Sequence, residues 1–176
     1  MPARPRGRLA RAAAGLRGTA MVLSGAAVVL MMALVTFEVL LRTFANRSTL
    51  VADEMAGYLL VAMTFLGLAP SLRGGAFIRI DTYRDRLRGA GRRLLDVALV
   101  TVGLAYAITV DWYLWGLLAG SWRLGTTSIQ VSRTPLWIPQ AVMAVGGLLL
   151  IVELLLEMAL VITAEEALPA GDSTVA

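Results

Sequence analysis

Apolar residues in this chain run in long blocks, and charged residues collect between them. Residues 18–37 carry no charge over twenty positions, and the helix they predict continues through Glu38 to about Thr43. Residues 55–72 add eighteen more, with Asp53 and Glu54 just ahead of them in a first helical turn, where carboxylates meet the positive end of the dipole. A third block, 97–110, is interrupted by Asp111 and resumes over 112–122. The fourth, 134–152, is followed by Glu153, Glu157 and further apolar residues to about Ala164, with Thr134 as N-cap and Pro135 as first helical residue. A spanning helix needs roughly 20 apolar residues. The pattern therefore predicts an all-α fold, an integral membrane four-helix bundle with spans at about 18–43, 52–72, 94–120 and 134–163. Residues 1–17 form a basic arm, 18–164 the membrane domain, and the acidic, small and polar stretch 165–176 reads as a disordered tail.

A basic arm before an apolar block is also the form of a secretory signal. This block exceeds a typical signal core and no clear small-residue cleavage site follows it, so it reads as a retained span.

Composition agrees with a lipid solvent: 58% of the 176 residues are hydrophobic and the mean hydropathy is +0.75, too apolar for a domain with a wet surface. Histidine, cysteine and lysine are absent. Haem ligation by histidine, thiol redox exchange, iron–sulfur clusters and ordinary zinc sites thereby lose their ligands, so no cofactor, metal site or catalytic residue is expected and the chain does not read as an enzyme. The net charge of +4 comes from arginines that flank the apolar blocks, which points to anionic membrane lipids rather than nucleic acid.

Arginine also predicts the orientation. Five stand in the N-terminal arm and seven in the central loop, Arg73, Arg79, Arg84, Arg86, Arg88, Arg92 and Arg93, against Arg42, Arg47, Arg123 and Arg133 on the other side. Positive residues stay cytoplasmic, which places both termini and the central loop inside. Trp112, Tyr113, Trp115, Trp122 and Trp137 then gather at the outer interface, where amphipathic rings settle. In the central loop Ile78, Ile80, Tyr83 and Leu87 alternate with arginines, a composition that suits either a short amphipathic helix on the inner leaflet or a solvated basic loop.

Ionisable residues inside spans are costly and invite a functional reading. Glu38 and Arg42 are four apart with the acid first, the favoured order for an intrahelical pair that neutralises itself; a partner contact is the alternative. Asp53 and Glu54 read first as helix-start carboxylates and second as a cation site. Asp111 lies roughly 20 Å along its helix from Asp96 at the standard rise, in the outer third of the bilayer, and should face another helix. Glu153 and Glu157 fall at the cytoplasmic interface near the central-loop arginines. Gly116 with Gly120, Gly103 with Ala107, and Gly67 with Ser71 have the spacing that permits close helix approach, read here as ordinary bundle packing.

Two segments carry a resemblance. Ala52-Asp53-Glu54-Met55-Ala56-Gly57-Tyr58-Leu59-Leu60-Val61, continuing through Thr64-Phe65-Leu66-Gly67 to Ile78-Arg79-Ile80-Asp81, resembles the small permease subunit of tripartite ATP-independent periplasmic (TRAP) transporters, the DctQ-like family. Thr134-Pro135-Leu136-Trp137-Ile138-Pro139-Gln140 is similar to the entry of that family's last helix. Gly74 stands where the family often has glutamate, and Phe77 where it often has histidine. The resemblance implies four helices in a bacterial inner membrane, and import of organic acids driven by an ion gradient. A large permease subunit carries the substrate path, a periplasmic solute-binding protein captures the substrate, and the small subunit braces the permease. It implies partner-interface or structural roles for Glu38, Arg42, Asp53, Glu54, Tyr58, Arg79, Asp81, Asp111, Pro135, Trp137 and Pro139. Two other classes stay open on the residues alone: a self-sufficient homo-oligomeric proton-coupled transporter using Glu38 or Asp111, and a membrane assembly factor.

Overall fold

The computed structural model describes residues 8–73 and 90–163. They form four helices: α1 (Arg8–Ala45), α2 (Ala52–Arg73), α3 (Ala90–Leu124) and α4 (Trp137–Thr163). Each contains a stretch long and apolar enough to cross a membrane, Ala14–Ala45, Ala52–Leu72, Leu94–Leu124 and Trp137–Ala159, and the chain is a multi-pass membrane protein. The N-terminal arm is helical from Arg8 onward rather than a separate segment up to residue 17, because its alanines, leucines and arginines are strong helix formers and extend the first span backward. The central-loop boxes with Arg79 and Asp81, the amphipathic stretch and the tail lie outside the described residues.

The helices pair as two hairpins, α1 with α2 and α3 with α4, and the hairpins meet through α2 and α4. The spatial order is thus α1, α2, α4, α3, with α1 reaching α4 only briefly. The seams are built from small residues. The buried apolar positions are mostly alanine, namely Ala20, Ala27, Ala52, Ala69, Ala107 and Ala144, joined by Leu114 and Leu154, and among the described residues no large side chain is fully enclosed. Lipid gives no hydrophobic drive for helices to associate, so close backbone approach and dispersion must hold them, and small side chains permit both.

Backbone meets backbone at Gly146 of α4, where a Cβ would stand 2.7 Å from the carbonyl group of Phe65 on α2. Only glycine fits there. Its neighbour Gly147 faces the Asp111 carboxylate of α3 in the same way. On the other seam Ser24 donates to the Met63 carbonyl at 2.8 Å and lies against Gly67, where an added Cβ would be 3.1 Å from its hydroxyl. Gly103 faces Leu154, whereas Gly116 and Gly120 meet nothing within 4 Å, so bundle packing accounts for Gly67 and Gly103 but not for the Gly116–Gly120 pair. Large apolar side chains such as Met21, Leu30 and Met32 on α1 and Leu99, Val102 and Tyr106 on α3 point outward, as expected where lipid or a partner is the solvent.

One difference from the expected boundaries has a local cause. Helix α4 begins at Trp137, not at Pro135: Thr127 and Pro135 form an isolated antiparallel bridge, with the Leu136 amide donating to the Thr126 carbonyl at 3.1 Å, so the Thr-Pro segment belongs to the loop. Pro139 falls in the first turn, where a missing N–H costs nothing. Glu153, expected at the cytoplasmic interface near the central-loop arginines, is buried and accepts a hydrogen bond from Nε of Arg17 on α1 at 2.9 Å, and most of the central loop lies outside the described residues. That ion pair joins the two flanking segments of the chain where α1 and α4 touch.

Candidate functional site

Loops 46–51 and 125–136 lie at one end of the molecule, and the polar residues singled out in spans one and two converge there. Helix α1 stops at Asn46, which takes a left-handed φ of 49°, and the chain turns back over five residues. The turn closes on Glu38. Its carboxylate accepts from Nε of Arg42 at 2.9 Å, the Ser48 hydroxyl at 2.6 Å, the Thr49 hydroxyl at 2.6 Å and the Thr49 amide at 3.2 Å. Glu38 is buried, so its charge is satisfied by these donors in place of water. The i,i+4 pair with Arg42 forms as its order predicts, and Arg42 also reaches Asp53 with Nη2 at 3.4 Å. Ser48 and Thr49 then use their hydroxyls to accept the amides of Leu50 and Val51 at 3.2 and 3.4 Å. These local turns hold Leu50 at a φ of 56° and lead directly into α2.

Asp53 and Glu54 occupy the first turn of α2 and part ways there. Asp53 is exposed and, among the described residues, pairs with Arg42. Glu54 accepts from the Tyr58 hydroxyl at 2.6 Å, one turn on, and from the Ser132 hydroxyl of the second loop. Ser132 in turn pairs with the Thr134 hydroxyl at 2.7 Å. Glu54 therefore ties the first hairpin to the loop of the second.

That second loop has its own frame. Helix α3 ends in a Schellman cap: Gly125 has a φ of 60°, its amide reaches the Trp122 carbonyl at 3.4 Å, and the Thr126 amide reaches the Ser121 carbonyl at 3.1 Å. The Ser128 amide donates to the Thr134 carbonyl at 2.9 Å, which with the Leu136–Thr126 bond makes a short two-stranded ribbon through Pro135. Trp122 and Trp137 meet edge to face below it, with centroids 4.9 Å apart and planes at 78°, a geometry the ring quadrupoles favour.

Asp111 lies deeper, on the α3–α4 seam. It is 4% exposed, takes the Trp115 indole N–H on Oδ2 at 3.1 Å, and among the described residues has no hydrogen-bond partner on Oδ1. It faces a helix, as expected, and the helix is α4 of its own chain. Among the described residues no three His, Cys, Asp or Glu side chains converge as metal ligands, and the chemistry of this end is hydrogen bonding.

Over residues 31–164 the chain matches the model of the tripartite ATP-independent periplasmic transporters, DctQ component. The chain belongs to this family. The match takes in the second half of α1, the other three helices, both loops and every residue of the loop-end site. DctQ components are transporter subunits rather than enzymes, and they work with a large permease subunit and a periplasmic binding protein. No curated protein matches the chain.

For this DctQ component, sequence reasoning brought together Glu38 with Arg42, read Glu54 as a helix-start acid and Trp137 as a ring at the outer interface, and named Tyr58 and Pro139 through the family resemblance. It missed Ser48, Thr49 and Ser132, single hydroxyls in polar loops that carry no spacing signal. It also missed Gly146 and Gly147. Two adjacent glycines in the middle of a span were a legible sign, since a helix in lipid gains nothing from them unless another backbone comes close.

Proposed function

We propose that this chain is the small subunit of a tripartite secondary transporter in a bacterial inner membrane, importing organic acids on an ion gradient, and that its task is to brace the large permease. The observation that carries this reading is the fate of the intramembrane carboxylates. Glu38 and Glu54 are consumed in holding loops and Asp111 is closed in between α3 and Gly147 of α4, while each described span is a continuous helix. A conduit would instead present ionisable groups or unwound backbone to a wet path. Glu38, Arg42, Asp53, Glu54, Tyr58, Asp111, Pro135, Trp137 and Pro139 shape the brace, and Arg79 and Asp81 anchor the central loop at the inner surface. Membrane lipids cover the apolar flanks.

In this reading the loop end faces the periplasm. Cysteines introduced singly at Ser48, Ala90 and Ser128 and treated in intact cells with an impermeant reagent should label at 48 and 128 and stay silent at 90; labelling at 90 alone reverses the orientation. Function is tested by uptake into vesicles holding the small subunit, the large subunit, or both with the binding protein. Uptake is expected only from the full set, and robust uptake by the small subunit alone, abolished by Asp111→Asn, would make it a transporter in its own right.

A further inference from the structure

Between α3 and α4, at the loop end, an open cleft of about 350 Å³ is lined by Trp115, Leu118, Ala119, Trp122, Trp137 and Ala141, with Arg123 at its edge. Ala119 and Ala141 leave the hollow, and three indoles wall it. The walls are set in advance. Trp115 is held by its hydrogen bond to the buried Asp111, and Trp122 by its edge-to-face contact with Trp137. No other side chain in the fold contributes charge to the lining, and Arg123 has no carboxylate partner among the described residues.

We propose that this cleft seats one membrane phospholipid, with an acyl chain laid over Ala119 and Ala141 between the indoles and the headgroup phosphate on the Arg123 guanidinium. The apolar lining suits a hydrocarbon chain, and the Arg123 guanidinium suits the phosphate that such a chain carries. Trp122 and Trp137 sit at helix ends, at the depth where indoles and headgroups meet, and Trp115 lies further along α3 toward the acyl region. A protein helix is about 10 Å across and does not enter a gap of this volume between two neighbouring helices, whereas a flexible chain does. The lipid would fill the space that the alanines leave and fix the α3 flank to α4.

The test uses the full chain, released from nanodiscs of mixed phosphatidylethanolamine and phosphatidylglycerol into a mass spectrometer under native conditions. A single retained phospholipid is expected. Arg123→Ala should lower the bound fraction about tenfold, the loss of one charge-assisted contact, and Arg123→Lys should restore most of it. Ala141→Phe fills the cleft and should abolish retention, while Arg47→Ala, in the other loop, should change nothing. Tryptophan quenching by a phospholipid with brominated chains gives a second readout in solution, expected in the parent chain and reduced in Ala141→Phe. Should Ala141→Phe fail to fold, Ala119→Val serves in its place. Retention unchanged in both Arg123→Ala and the cleft-filling variant, an equal loss in Arg47→Ala, or release of the lipid when the large permease binds would each overturn the proposal.

Discussion

The two hairpins turn at the same end of the molecule and are fastened in different ways. The first closes around one buried carboxylate: Glu38 gathers Arg42, Ser48 and Thr49, and its loop has no backbone ladder of its own. The second closes through its main chain, with a Schellman cap at Gly125, a short ribbon between Thr127 and Pro135, and two packed indoles beneath. A fastening built on one charge concentrates its strength in a single side chain. One built on backbone bonds spreads it over several residues, most of whose identities matter little. The first loop can thus be undone at one carboxylate, whereas in the second only Gly125, with its left-handed φ, depends strongly on its identity.

The contact between the hairpins is the place where a single atom does most harm. Gly146→Leu forces a side chain into the Phe65 backbone and should destabilise the fold by about 1–3 kcal/mol or more, read as a lower thermal midpoint and as loss of co-purification with the large permease; an unchanged midpoint would mean α2 and α4 do not meet at this point. Next in size, Glu38→Ala should expose loop 46–51 to protease. Tryptic cleavage after Arg47 should rise by on the order of tenfold, with the second loop unaffected, and equal cleavage of both loops would erase the contrast between them. The smallest effects belong to the second loop. Ser132→Ala should lower the midpoint slightly by removing the tie to Glu54, and Thr127→Ala should leave it within about 0.5 kcal/mol; a large loss from Thr127→Ala would show that this loop, too, hangs on one side chain.

Sequence reasoning reached the four spans because the bilayer imposes length and apolarity on each of them directly. The Glu38–Arg42 pair was legible for a similar reason, since both partners lie on one helix and their spacing fixes the geometry. Glu54 was legible as a helix-start acid but not as the tie between hairpins, because Ser132 is 78 positions away and nothing local marks its partner. The same holds for Arg17 and Glu153. Their separation of 136 positions is set by how the helices are arranged, a property of the seams rather than of any one span. The entry of α4 was read as helical from Pro135 because a Thr-Pro pair is a common start; backbone pairing with Thr126 and Thr127 took that segment into the loop instead.

The spatial order α1, α2, α4, α3 bears on how the chain is made. Each hairpin consists of consecutive helices, so the first can leave the ribosome, insert and close on Glu38 before α3 has been synthesised. The second can do likewise, since its cap, ribbon and stacked rings all come from residues after Ala90. Only one joining step is left for the finished polypeptide, the lateral meeting of α2 with α4 at Gly146. Assembly in the membrane then reduces to two self-contained insertions followed by one docking event within the plane of the bilayer, with no helix required to thread between two others already in place.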